Sequence, residues 1–189
     1  MMRTFLAIDL DGGLRSELAA LRGTVSTAWP EWAGEKWVDT HNLHLTLKFL
    51  GDRSANDLAE ITETLAPSLR GVAPFESSCL VPVELAPRPH RPRMLWSRFD
   101  DPDGSFTALA HRIDGALCPL GIPPESRRLV PHVTLCRARA PKPASRRTDL
   151  PEVTVLSFMS VREVIVFTSE LKRSGPVYAR QTIIPLAMR

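Results

Sequence analysis

Two tetrapeptides of one form, His44-Leu45-Thr46-Leu47 and His132-Val133-Thr134-Leu135, stand 88 residues apart, each inside a short apolar run that reads as a strand. A strand turns successive side chains to opposite faces. In each copy the His and the Thr therefore share one face, while Leu45, Leu47, Val133 and Leu135 share the other. A fold that accepts both runs must bury one face of each strand and leave the second open. If the open faces converge on one cleft, two imidazoles that titrate near neutrality stand beside two hydroxyls able to donate hydrogen bonds to an anion such as phosphate. The pattern points to acid–base chemistry on a phosphoester.

A single His on a half-buried strand is ordinarily a packed or solvated residue, and it is the repetition that separates these two from that reading. A metal site fits less well. Each motif offers one His, with no Cys, Asp or Glu at the spacings that build zinc sites, so no metal and no cofactor is expected.

The apolar periodicity predicts a strand over Thr4 to Asp9, a helix over Leu14 to Val25, and the first motif strand over Leu43 to Leu50, ended by Gly51. Ser54-Ala55-Asn56-Asp57 has the form of a capping box opening a helix whose Leu58, Ile61, Leu65 and Leu69 share a face. Strands follow over Phe75 to Leu85, where Pro82 signals an edge or a bulge, and over Met94 to Phe99. A third helix spans Gly104 to Pro119 and stops at Gly121. After the second motif strand, Val153 to Met159, Val161 to Phe167 and Val177 to Leu186 complete the strands. Hairpins mixed with helices, without steady βα alternation, indicate an α+β fold. Two matching motif strands suggest two pseudo-symmetric lobes of mainly antiparallel sheet, with outer helices, around a central cleft, all in one bilobal domain over 1–189.

The 189 residues include no apolar stretch of 18, and Met1-Met2-Arg3 leads straight into a strand, so the expectation is a cytoplasmic protein with no membrane partner, acting as a monomer. Cys79, Cys118 and Cys136 are odd in number and set among apolar residues, which reads as reduced core thiols. Strict alternation puts Cys136 on the face of His132 and Thr134. The net charge of +3 is mild but clustered. Arg137, Arg139, Lys142, Arg146 and Arg147 occur with no acid between them, and Arg88, His90, Arg91 and Arg93 form a second stretch; both have the character of segments that track a phosphate backbone.

Asn42-Leu43-His44-Leu45-Thr46-Leu47-Lys48-Phe49-Leu50-Gly51 and Pro131-His132-Val133-Thr134-Leu135-Cys136-Arg137 closely resemble the two signatures of the 2H phosphoesterases, in particular the RNA 2′,3′-cyclic phosphodiesterases once called 2′-5′ RNA ligases. Phe5-Leu6-Ala7-Ile8-Asp9-Leu10, Pro92-Arg93-Met94-Leu95-Trp96 and Ser169-Glu170-Leu171 with Gly175 and Tyr178 resemble the family's opening, middle and closing segments. The resemblance implies metal-free hydrolysis of a 2′,3′-cyclic phosphate end, on RNA or a nucleotide, to a 2′-phosphate. It implies His44 as proton donor, His132 as proton acceptor, and Thr46, Thr134 and Arg137 as holders of the phosphate. Ideal alternation would point Arg137 away from the cleft, so that last role requires the strand to bulge or end before it.

Two other readings stay open on the residues alone. The same chemistry run backwards is a 2′-5′ RNA ligase, and a cleft that binds without turnover is a nucleotide- or RNA-binding module. A paired acid and base, which binding alone does not need, favours catalysis. Of the aromatic residues, Trp37, Phe49, Trp96 and Tyr178 are candidates for core or cleft walls able to stack on a base. His41, His90 and His111 read as surface or structural.

Overall fold

The computed structural model describes residues 1–143, 158–173 and 175–187. Its strands are β1 (Met2–Asp9), β2 (Lys36–Trp37), β3 (His44–Arg53), β4 (Phe75–Ala86), β5 (Met94–Phe99), β6 (His132–Arg137), β7 (Phe158–Val161), β8 (Glu163–Lys172) and β9 (Gly175–Pro185); the helices are α1 (Gly12–Ala28), α2 (Ala55–Leu69) and α3 (Ser105–Leu117). The strand order is β7-β4-β5-β6-β3-β1-β8-β9, with β2 added beside β6. Adjacent strands pair antiparallel throughout, which makes the fold α+β.

The order is symmetric about its middle. Outward from β3 lie β1, β8 and β9; outward from β6 lie β5, β4 and β7. The two halves meet at one register pair, Leu45 opposite Val133. Each half is built on a strand–helix–strand unit, β1-α1-β3 and β5-α3-β6, and each unit's continuation supplies a strand to the other half. The chain after β3 forms α2 and then β4, which pairs with β5, whereas β8, after β6, pairs with β1. The lobes are thus interlaced by strand exchange.

Local chemistry explains the elements. Asp11 caps α1 by accepting from the Leu14 amide at 2.9 Å. Ser54 and Asp57 make the reciprocal capping box of α2, and the Asp101 carboxylate takes the Phe106 and Thr107 amides at the start of α3. The helices lay Leu14, Leu18 and Leu21, then Leu58, Ile61 and Leu65, then Phe106, Leu109 and Ile113, into a core shared with Leu6, Ile8, Leu45, Leu95, Val133 and Leu135. On the opposite face of the β3 half, Phe5, Ala7, Ile165 and Phe167 form a separate small cluster, with Tyr178 packed against it. Among the described residues no helix is long and apolar enough to cross a membrane.

Three features depart from sequence expectation. Gly51 does not end its strand: β3 runs on to Arg53, with Gly51 at a positive φ of 77° beside a register shift that a side chain there would strain. Lys36–Trp37, which the periodicity does not mark as a strand, pairs with Arg137 and Cys136. Val161 closes β7 rather than opening the next strand, and β8 extends to Lys172. Residues 153–157 of the expected strand, and Arg146 and Arg147 of the basic loop, lie outside the described residues. Pro82 does sit at a register shift in β4, between the rungs of Val81 and Glu84.

Candidate active site

The open face of the sheet holds a cleft of about 790 Å³ where β3 meets β6. His44, Thr46, His132, Thr134 and Arg137 all line it, together with Asn42, Phe5, Phe49 and Tyr178. His41, His90 and His111 do not.

Each motif strand carries one extra residue at the same place. Thr46 faces Ala7 and Lys48 faces Leu6, which leaves Leu47 between the rungs; Thr134 faces Trp96 and Cys136 faces Leu95, which leaves Leu135 between them. These bulges invert the alternation that follows. Leu47 and Lys48 are both buried, as are Leu135 and Cys136, and Phe49 and Arg137 return to the cleft side. Arg137 thus reaches the cleft by the route that plain alternation forbids. Cys136 is placed differently from the expectation: it is 0% exposed in the core, and burial pushes its thiol up to about 12. In the first copy the same core position belongs to Lys48, whose ammonium is ion-paired to Asp114 of α3 and donates to the Pro123 carbonyl at 2.8 Å.

The imidazoles are oriented by one device. Nδ1 of His44 lies 2.6 Å from the Asn42 carbonyl, and Nδ1 of His132 lies 2.7 Å from the Val130 carbonyl. A carbonyl only accepts, so Nδ1 carries the proton and Nε2 is left as the titrating nitrogen in both rings. Nε2 of His44 is 3.0 Å from the Thr46 hydroxyl, which donates to it while the ring is neutral. Asn42 is itself tied down, its amide donating to the Pro176 carbonyl at 2.8 Å. Arg15 holds the turn from the other side by donating to the His41 carbonyl at 2.9 Å and ion-pairing with Asp9. The −2 carbonyls and Arg15 could not be picked out in the sequence, since a main-chain acceptor has no residue signature.

The surroundings of the two rings differ. His44 packs against Phe5 at 4.9 Å and takes Tyr178 edge-on at 5.2 Å and 87°. His132 stacks on Trp96 with centroids 3.8 Å apart and planes at 25°. Burial lowers the pKa of both below the usual imidazole value. The bonds to Asn42 and Val130 oppose this, and the Arg137 charge adds to the depression at each ring. Arg137 meets no carboxylate among the described residues; its guanidinium rests on the Met94 sulfur at 3.0 Å. The other described cations of the basic loop, Arg139 and Lys142, are differently employed. Lys142 is ion-paired to Glu35, Arg139 donates its amide to the same carboxylate at 2.8 Å, and neither lines the cleft. Arg88, Arg91 and Arg93 are likewise exposed outside it.

Among the described residues no three His, Cys, Asp or Glu side chains gather as a metal-holding group. What the arrangement offers is an anion site between two oriented imidazoles, with a guanidinium and two hydroxyls as donors.

Comparison with known proteins places this geometry. The family profile described as LigT like Phosphoesterase matches residues 8–96. The RNA 2′,3′-cyclic phosphodiesterase of Methanothermobacter thermautotrophicus is 35% identical over 189 residues, covering 98% of this chain and 99% of its own. A crystal structure from Thermus thermophilus superimposes with a TM-score of 0.80 at 29% identity, over 99% of each chain. Escherichia coli LigT complexed with 3′-AMP superimposes at 0.77 and 24% identity, over 98% of each. With its full length matched by such a relative, and with both His-x-Thr strands facing one cleft, the chain belongs to the LigT-like phosphoesterase family.

Proposed function

We propose that the protein hydrolyses 2′,3′-cyclic phosphate ends of RNA or nucleotides to 2′-phosphates without a metal, using His44 as acid and His132 as base. Nε2 of His132 takes a proton from water as the water oxygen bonds to phosphorus. The bond from phosphorus to the 3′ oxygen breaks, and Nε2 of His44 delivers its proton to that oxygen. Solvent exchange returns both rings to their starting states. Arg137, Thr46 and Thr134 carry the negative charge that gathers on the non-bridging oxygens. Phe49 and Tyr178 offer faces for the base.

The observation that carries this reading is the matched pair of imidazoles on one cleft, each with Nδ1 committed to a carbonyl two residues upstream and Nε2 left to titrate. The name of the Methanothermobacter relative, RNA 2′,3′-cyclic phosphodiesterase, supports the substrate class. The E. coli LigT complex with 3′-AMP is a case of a protein of this fold holding a nucleotide.

The test is hydrolysis of adenosine 2′,3′-cyclic phosphate and of a short RNA with a cyclic end, in EDTA, followed by identification of the phosphate position. The expected result is a 2′-phosphate product, with kcat reduced about 10²–10⁴-fold in His44→Ala and in His132→Ala. Full activity in either variant rules out the two-histidine mechanism. Absence of turnover in the unaltered protein, with nucleotide binding retained, leaves a binding module.

A further inference from the structure

The cleft is longer than one cyclic phosphate requires. From Thr46 it runs over the β3 half alone, across β1, β8 and β9, to an end lined by Arg3, Asp52, Ser169 and Leu171; among the described residues none of β4 or β5 lines it. Between the two ends lies an aromatic floor. Phe5 stacks on Phe167 at 5.3 Å and 12°, Tyr178 meets Phe5 edge-on at 5.1 Å, and Phe49 stands 62% exposed at the border. Leu171, at the rim, is 82% exposed, a large apolar side chain open to whatever fills the cleft.

Arg3 follows on the same face as Phe5, two residues or about 7 Å along the strand. It has no ion pair among the described residues, although Asp52 is its cross-strand neighbour. Its charge and that of Arg137 both reach the Tyr178 phenol, opposing the rise that burial causes there. Two guanidinium groups without carboxylate partners among the described residues therefore bracket one aromatic floor, one beside the histidines and one beyond it. A ribose whose 2′ and 3′ oxygens are closed in a cyclic phosphate has one remaining ester position, the 5′ oxygen.

We propose that the Arg3 end of the cleft is a second phosphate subsite, which receives the phosphate on the 5′ oxygen of the terminal nucleoside while its base lies against Phe49 and Tyr178. The preferred substrate is then a cyclic-phosphate end that carries a 5′-phosphate or the internucleotide phosphate of an RNA. This assignment rests on the cyclic-phosphate reading of the histidine end. Asp52 works against it electrostatically, so the subsite is tunable in both directions.

The experiment compares kcat/KM for adenosine 2′,3′-cyclic phosphate, its 5′-phosphorylated form and the dinucleotide with the same cyclic end. Calorimetric Kd values for adenosine 2′-phosphate and adenosine 2′,5′-bisphosphate are measured in parallel. Either form of the 5′ phosphate is expected to raise kcat/KM about tenfold, and the bisphosphate to bind tighter by a similar factor, as suits charge-assisted hydrogen bonds in a partly exposed site. Arg3→Gln should bring both ratios to about one, and Asp52→Asn should raise them. Ratios near one in the unaltered protein, or ratios that survive Arg3→Gln, overturn the subsite. So does a gain given by the dinucleotide and not by the 5′-phosphorylated mononucleotide. If no cyclic phosphate is turned over but the bisphosphate preference is present and lost in Arg3→Gln, the subsite stands and the hydrolase reading fails.

Discussion

Trp96 occupies on β5 the rung that Ala7 occupies on β1: each faces the Thr of a His-x-Thr strand across the ladder. The two histidines are alike in strand position, bulge and backbone acceptor, yet this exchange of a methyl for an indole gives them different neighbours. His132 lies flat on the indole, while His44 sits in a cage of Phe5, Phe167 and Tyr178. An imidazolium formed over an aromatic face is stabilised by it, which suits a base that gains a proton during the reaction.

Replacing Trp96 by Leu removes that face. The expected result is a fall of about tenfold in kcat, with the acid limb of the pH profile displaced to lower pH; Trp96→Phe should retain most of the activity. Nuclear magnetic resonance titration of His132 in the two variants checks the cause. An unchanged titration in Trp96→Leu would rule the stacking out as the source.

The pH dependence of turnover follows from the depressed pKa values. Catalysis as proposed needs His132 neutral and His44 protonated. Burial, helped by Arg137, lowers both, with His132 and Arg15 adding to the effect at His44. The kcat/KM profile should therefore be a bell with its maximum on the acid side of about 6.5. In kcat the alkaline limb should move to higher pH, because the bound phosphate anion favours the protonated ring. A kcat/KM maximum more than about one unit above the ordinary imidazole value would contradict the assignment.

Stability has its own pH signature. Both histidines resist protonation in the fold, so on acidification the unfolded chain binds protons first. Their contribution is whole above about pH 6.5, the unfolded imidazole value, and is lost as pH falls through the lower folded values. Glu35, Asp57 and Asp100 are also lowered, but they act below the ordinary carboxylate range and outside this window. Urea unfolding should show lower stability at about pH 5.5 than at about pH 7.5, with a shallower slope in a His44→Gln, His132→Gln double variant. Equal slopes would mean that other groups carry the effect.

Lys48 and Asp114 connect β3 to α3 through a nearly buried ion pair, with side chains 3% and 13% exposed. Asp114→Ala leaves the ammonium in the core with one carbonyl, at an expected cost of about 3–5 kcal/mol. The double replacement Lys48→Met, Asp114→Leu should restore most of that loss. Chemical denaturation of the three proteins decides it.

The thiols should report the bulge in β6. Cys118, expected from its apolar neighbours to be a core thiol, is exposed where α3 ends, and Cys136 is buried with its pKa pushed up to about 12. Under native conditions an alkylating reagent should modify Cys118 readily and leave Cys136 untouched until the protein unfolds. Native labelling of Cys136 would mean that its side chain points to the cleft instead.

The chain by itself determined whatever depends on near neighbours. Apolar periodicity marks the three helices, Ser54 and Asp57 mark a cap, and the pairing of His with Thr on one strand face follows from the two-residue period of the strand. Only tertiary structure decided where that period breaks. Leu47 and Leu135 become the extra residues of two bulges because β1 and β5 dictate the register opposite them, and a pairing partner is not written in the strand it pairs with. The inversion that follows sent Cys136 into the core and Arg137 into the cleft. The same holds for the Asn42 and Val130 carbonyls and for the convergence of Arg3 with Ser169 and Tyr178, which lie far from it in the chain. Main-chain groups carry no residue identity, and the convergence exists only once β9, β8 and β1 are laid side by side.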